Sequence, residues 1–454
     1  MDSLLSHGSG SFYKTKGGRK MKMMRYIGKR SGQKPKTKRM GLARIILLAL
    51  LICLITFGMN GEAKAAEKGP IKIGFIAPMT GNWAQAGADM IAGAKMFLEE
   101  INYTVSGRKI EFIIEDEGAT PATAITKARK LVNHDKVNIM AGVFLTPGAY
   151  AVAPICDESN TPLIVTSSAG DDLTQRKRSN NLIRVSFTGC QIGHVAGDYA
   201  YNKLGWRKIP ILGWEHAFGQ ETIAAFQRVF EESGGKVIQR IYTPLTTLDF
   251  SPYVASLKQD GDGLFEVVTV SPSMRFLKSL RASGLMDKWK VLTVATATDE
   301  TFLNELGEAG VGVFSAETYS AALQTPENTK FREKVNKLMK REPTANIVYN
   351  YSGMDWITQG IKMINGDVEN REKLLKALRE VEIKASPRGP LKLDKFGGVI
   401  QNVYIRRVDK VGNNYQNTVI ETYPMVSQFW KYNPEDYLKQ PIYTRDNPPC
   451  KYCD

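Results

Sequence analysis

The sequence predicts an α/β fold built on parallel sheets and divided into two domains, and three observations predict it. Apolar runs of strand length recur at 71–77, 110–114, 137–143, 163–165, 209–212, 237–241, 265–270 and 291–294. Runs without polar alternation suit strands covered on both faces, as in a parallel sheet. Helical stripes separate them, such as Ile125, Ala128, Leu131 and Val132, or Ile223, Phe226, Val229 and Phe230; regular strand–helix alternation is the mark of βαβ units. Finally, 389 residues follow the first 65, more than one ordinary core holds.

Residues 1–65 read as a secretory leader with a long basic n-region. Thirteen Lys and Arg lie between 14 and 44, ahead of the fifteen-residue apolar run IILLALLICLITFGM at 45–59. That is the length of a signal-peptide h-region and short of the ~20 residues that span a bilayer. Ala63-Lys64-Ala65 places small residues where signal peptidase reads, so cleavage is expected after Ala65 and the chain is expected in the periplasm. Retention as an uncleaved anchor is the alternative. The leader also explains the formal charge of +15: it holds 14 of the 61 basic and 2 of the 46 acidic residues, leaving the body near +3. Nucleic acid is therefore not an expected partner.

The body opens with IKIGFIA at 71–77, a strand, followed by a loop of small and polar residues from Pro78 to Gly87. Met90, Ile91, Ala94, Phe97, Leu98 and Ile101 then form one stripe of an amphipathic helix. A loop between a parallel strand's C-terminal end and a helix is a natural ligand site. It carries neither GxGxxG nor GxxxxGK[ST], so a nucleotide phosphate is not the indicated guest. After Gly389 the pattern changes to short strands in hairpins, turning at Gly397-Gly398 and Gly412-Asn413-Asn414. From Tyr423 the chain is an aromatic and Pro-rich tail, expected to wrap over the body or to meet a partner.

Export permits disulfides. Cys450 and Cys453 sit in an Asn447-Pro448-Pro449 tail rather than at a helix start after a strand, so they read as a local disulfide or two unpaired thiols, not a redox site. Cys156 and Cys190 read as buried thiols or a separate pair. His134, His194 and His216 are far apart, and the sequence has neither HExxH nor GxSxG. No catalytic residue, metal or cofactor is expected, and the protein is not read as an enzyme.

Several segments together resemble a known family: IKIGFIAPMTG, AGADMIAGAKMFLEEIN, Glu115-Asp116-Glu117 and GAYAVAPICDESNTPLIVTSSAG. They are similar to the type I periplasmic binding proteins, in particular the leucine/isoleucine/valine-binding proteins of branched-chain amino acid ABC transporters. The resemblance runs from about residue 70 to 410 and implies two doubly wound lobes joined by a three-segment hinge, closing on a small ligand for delivery to membrane permease subunits. Lobe one would comprise 70–188 plus 319–388, lobe two 189–318 plus 389–422, with the tail at 423–454. A monomer is expected.

Ligand positions follow residue by residue from the resemblance. The carboxylate-binding serine of the family falls at Thr146, and further ligand contacts at Ser168 and Gly170. An aromatic of the first loop falls at Ala86, the second-lobe tyrosine at Phe218, and the acid that pairs with the ligand ammonium at Ala295. The family disulfide is missing, its positions falling at Ala119 and near Leu145. A buried ammonium without an anion costs several kcal/mol, so Ala295 argues against an ordinary α-amino acid. Together with the small Ala86, it favours a larger carboxylate without the amine, aromatic or alicyclic. Trp83 either stacks on that ligand or anchors its own loop. Glu215 and His216 are further candidates, able to meet an ammonium from another direction. The alternatives are an ordinary branched-chain amino acid binder or a ligand-sensing module.

Overall fold

The computed structural model describes residues 68–453 and, ahead of them, only positions 46, 47 and 49, which are helical and exposed. The expected apolar run and cleavage point otherwise lie outside the described residues. No described helix is long and apolar enough to cross a membrane.

From Lys68 to Asp454 the chain forms one compact unit containing two sheets. The first is built from β1 (Ile71–Ala77), β2 (Thr104–Val105), β3 (Arg108–Asp116), β4 (Ile139–Gly142), β5 (Leu163–Val165) and β6 (Leu182–Arg184), in the order β2-β3-β1-β4-β5-β6. All its pairings are parallel except β2 with β3. Its connecting helices are α1 (Ala84–Glu100), α2 (Pro121–Arg129) and α3 (Thr146–Glu158). The apolar run of β1 is buried at Ile71, Ile73, Phe75, Ile76 and Ala77, as a strand covered on both faces requires.

The chain then passes to a second sheet through α4 (Gly189–Asn202) and α5 (Ala217–Glu232), with β7 (Lys208–Trp214) between them and β8 (Lys236–Thr243) after them. Strands β9 (Gly263–Val267), β10 (Lys290–Val294) and β11 (Phe314–Glu317) follow, with α6 (Ser271–Ala282) after β9. It returns to the first sheet for α7 (Pro326–Met339), α8 (Ala345–Met363) and α9 (Arg371–Glu380), where α8 packs along α1 and α9 packs on α8. Gly93 permits that contact: a Cβ there would stand 2.1 Å from the Ile347 carbonyl oxygen. A third passage leads to β12 (Leu391–Leu393), β13 (Val399–Val411) and β14 (Asn414–Val426). The second sheet runs β12-β13-β11-β10-β9-β7-β8, with β14 on β13. Its centre is parallel, while β12, β13 and β14 are antiparallel additions.

The structure differs from expectation at the C-terminal end. The strands of the last hairpin are thirteen residues each, not short. They turn at Gly412, whose φ of +61° suits glycine, and register shifts near Gln401 and Ile405 bend the long ribbon. Strand β14 continues to Val426, so the segment expected as tail begins as sheet. Beyond it the tail lies on the body. Arg176 donates to the carbonyls of Tyr437 (3.0 Å) and Gln440 (2.8 Å), Gln227 to that of Pro449 (3.0 Å), and Arg240 to that of Pro448 (2.9 Å). Phe396, Phe429 and Tyr437 form a small core beneath it, and buried His194 packs against the rings of Tyr432 and Tyr437. Cys450 and Cys453 are disulfide-bonded, whereas Cys156 and Cys190 are free and buried.

Candidate functional site

Loops at the C-terminal ends of parallel strands meet between the two sheets around a cavity with about 550 Å³ of space not filled by protein atoms, part of it open to solvent. From the first lobe it is lined by Trp83, by Phe144, Leu145 and Thr146 after β4, by Ser167, Ala169 and Phe187, and by Asn346 and Tyr349 of α8. The second lobe contributes His216 and Phe218 at the start of α5, Leu245 after β8, Thr269 after β9, and Ala295 and Thr296 after β10.

Carboxylates behind the wall hold the loops. Asp116, at the end of β3, accepts from the Met79 N–H (2.7 Å), the Thr80 hydroxyl (2.9 Å) and the Gly118 N–H (2.9 Å), and these bonds help keep its pKa below the usual value against the opposing effect of burial. Glu117 accepts from the N–H groups of Phe144 and Leu145, both at 2.8 Å. Burial pushes its carboxyl up to about 8 despite these bonds. The first loop lies close over α1 because Gly87 has no side chain; a Cβ there would come 1.6 Å from the Pro78 carbonyl oxygen. Trp83 is largely buried, its ring 6.1 Å from that of Phe144.

Three residues at the strand ends have a left-handed backbone without being glycine: Val143 (φ +61°), Val270 (φ +60°) and Ala295 (φ +51°). For a β-branched residue this is costly and persists only where the surroundings impose it; such outliers gather at ligand sites. Hydrogen bonds impose it here. Val143 donates to the Ile76 carbonyl (2.8 Å) and accepts from the Ser168 N–H (2.9 Å), and Val270 donates to the Thr296 carbonyl (3.1 Å). The Ala295 carbonyl accepts from buried Arg406 (3.2 Å).

The aromatic middle of the site is continuous. Phe187 lies 5.6 Å from Tyr349 and 6.3 Å from Phe218, ring centre to ring centre. Tyr349 is fixed by hydroxyl contacts to Thr318 (2.8 Å) and to Glu317 behind it, and by the Arg388 guanidinium 5.0 Å over its ring. Among the described lining residues there is no Asp, Glu, Lys or Arg. The polar side chains of the lining carry hydroxyls, one amide, one imidazole and the indole N–H of Trp83. No cluster of three or more His, Cys, Asp or Glu among the described residues is placed to hold a metal ion.

The expected site residues fall as follows. Trp83, Thr146, His216, Phe218 and Ala295 line the cavity. Ser168 and Gly170 stand behind the lining, where Ser168 Oγ lies 3.5 Å from Thr146 Oγ1; their neighbours Ser167 and Ala169 face the space instead. This segment lies in the loop after β5, where an offset of one residue exchanges wall for backing. Ala86 is buried in the cluster that holds Trp83 and is not part of the lining. Glu215 is turned outward and ion-paired with Arg445. The sequence reading had no place for Phe144, Phe187, Asn346 or Tyr349. Phe144 directly follows the strand predicted at 137–143, whereas Phe187 follows the short strand β6, which the apolar runs do not reveal, and nothing local marks Asn346 and Tyr349, which a distant helix brings in.

Such a cleft, built from strand ends of two α/β lobes and free of side-chain charge, defines a receptor for a small solute. Residues 70–413 match the family model described as periplasmic binding protein. The chain belongs to that family, in its Leu/Ile/Val-binding branch. It is 30% identical over 381 residues to Leu/Ile/Val-binding protein homolog 6 of Brucella suis, covering 82% of this chain and 96% of that one. Among solved structures it resembles a solute-binding protein of an ABC transporter from Rhodopseudomonas palustris BisB5 in complex with 3,4-dihydroxybenzoic acid. That likeness has a TM-score of 0.76 and 31% identity, over 80% of this chain and 99% of that one. A second R. palustris solute-binding protein, in complex with 4-hydroxybenzoate, matches with a TM-score of 0.75 and 29% identity over 79% of this chain and 98% of that one.

Proposed function

We propose that this periplasmic binding protein captures an aromatic carboxylate between its lobes and delivers it to the permease of an ABC importer. The observation that carries the reading is the lining: five aromatic rings (Trp83, Phe144, Phe187, Phe218 and Tyr349), hydroxyls and an amide, and no charged side chain among the described residues. A flat apolar ring is accommodated by such a waist. Its carboxylate is received by Thr146, Ser167 and Asn346 on the first lobe, because hydroxyl and amide donors bind an anion without a counter-charge.

An α-ammonium finds no partner on the same wall. Ala295 stands where the resemblance puts the family's acid, and the group behind it is the Arg406 guanidinium, which donates to the Ala295 carbonyl and pairs with Glu300 at 3.9 Å, and no carboxylate among the described residues lines the cavity there. The two R. palustris proteins, with benzoate derivatives in their complexes, support the same class of ligand. Lobe closure would couple capture to recognition by the permease, since a ligand favours whichever arrangement it binds better. Export through a cleaved leader and a monomeric state belong to the same proposal.

Isothermal titration of the mature chain with benzoate, 4-hydroxybenzoate, leucine and valine tests it. Saturable binding of at least one aromatic acid, with weak or no binding of the amino acids, is the expected result. Tight leucine or valine binding with no response to either acid would refute the ligand class.

A further inference from the structure

We propose that His216 selects among aromatic carboxylates by hydrogen-bonding a ring hydroxyl at the end of the ligand away from its carboxylate. The inference rests on an aromatic carboxylate occupying the cleft, and it narrows that class to hydroxylated acids.

His216 follows β7 and immediately precedes α5, the position of an N-cap, yet its side chain makes no capping hydrogen bond. It lines the cavity. Its Nδ1 is out of contact with solvent and has no partner within the protein, and no hydrogen bond ties down the rest of the ring either. A buried polar atom left without a partner is costly unless a ligand supplies one. Its neighbour Glu215 is turned away to Arg445. Phe218 flanks the imidazole, 6.1 Å away and inclined by 30°, and so limits its swing.

The ring's chemistry matches a hydroxyl better than a carboxylate. Burial lowers its pKa to about 4, so at neutral pH the imidazole is uncharged, with one nitrogen to donate and one to accept. A phenolic hydroxyl likewise donates and accepts. The donors Thr146, Ser167 and Asn346 line the cavity from the first lobe, whereas His216 lines it from the second. A guest with a carboxylate at one end and a hydroxyl at the other would therefore place its hydroxyl against the second lobe, where His216 stands.

Calorimetric titration of wild type, His216→Phe and His216→Gln with benzoate and 4-hydroxybenzoate tests this, with thermal melting to check that each variant is folded. Wild type is expected to prefer 4-hydroxybenzoate by about tenfold, the effect of roughly one well-made hydrogen bond. The Phe variant is expected to bind both acids within about twofold of each other, and the Gln variant to retain part of the preference. Equal binding of the two acids by wild type, or an undiminished preference in both folded variants, overturns the role of His216 while leaving the aromatic-carboxylate reading intact. Wild type that binds neither acid but binds leucine overturns that reading and this one together.

Discussion

Replacing Tyr150 with Phe should loosen lobe closure, and the structure sets the scale. Tyr150 lies on α3 of the first lobe; its hydroxyl donates to Glu221 Oε1 on α5 of the second lobe (3.0 Å) and accepts from the Asp172 N–H (3.0 Å). The other oxygen of Glu221 accepts from the Asp171 N–H (2.8 Å), so one carboxylate fastens α5 to the first lobe at two points. Both Glu221 and Asp172 are buried. Removing the hydroxyl leaves an acceptor and a donor unpaired, at a cost of about 1–3 kcal/mol. Water would satisfy both groups if the lobes parted, so the cost falls on the closed arrangement. About 2 kcal/mol corresponds to a ~30-fold shift toward the open form, and ligand affinity falls by up to that factor if closure accompanies binding. Calorimetry gives the affinity, and small-angle scattering of the unliganded chain should show a larger radius of gyration. An affinity within twofold of wild type with unchanged scattering would refute the argument.

Four further outcomes follow from the same geometry. Thr146→Ala removes a lining hydroxyl and should weaken carboxylate binding by ~1–3 kcal/mol in calorimetry; unchanged affinity would displace the carboxylate from the start of α3. Gly87→Ala puts a methyl on the Pro78 carbonyl and should destabilise by about 3 kcal/mol in denaturant melts, with a matching loss of binding as the first loop lifts. Burial raises Asp171 from 3.8 to about 6, with Asp172 nearby adding to the effect. The folded state therefore holds a proton that the unfolded chain releases, and this contribution is greatest below pH 4 and lost as pH rises through 6. Asp171→Asn should remove roughly 3 kcal/mol of that fall, seen as a smaller difference between melting temperatures at pH 4 and 7; an unchanged difference would contradict it. Finally, Cys450→Ser with Cys453→Ser should leave ligand affinity within twofold of wild type, because the disulfide lies away from the lining.

The parts of the fold legible in the sequence are those set by local periodicity. The run Ile71–Ala77 is a strand residue for residue, and the stripe from Met90 to Leu98 lies on the buried side of α1, partly exposed only at Ile91. The site is less legible because its wall is assembled from distant segments. Tyr349 is separated from Phe187 by more than 160 positions, and only the packing of α8 along α1 brings the rings together. The segment Thr166–Gly170 borders the cavity, but which of its side chains face it depends on the conformation of the loop after β5, which local periodicity does not set. Ala86 was legible as a small residue and not as a buried one: its role is to seat Trp83, which makes the wall on its behalf. The dipeptide Glu215-His216 shows the same limit, because nothing in its sequence tells which member faces the cleft.

Strand β8 is the last in the second sheet, and a bare outer strand is a template for pairing with another chain. The end of the tail lies against it. Pro448 accepts from Arg240 of β8, Cys450 Sγ lies 3.3 Å from the Val237 carbonyl oxygen, and Lys236 sits 5.5 Å over the Tyr452 ring. The disulfide closes these last residues into a small ring that stays in place as a guard along that margin. A protein shortened to the end of β14 would keep every residue of the cleft and lose this guard, together with the aromatic cover of His194. Its defect would be self-association on storage, while its solute affinity would look normal.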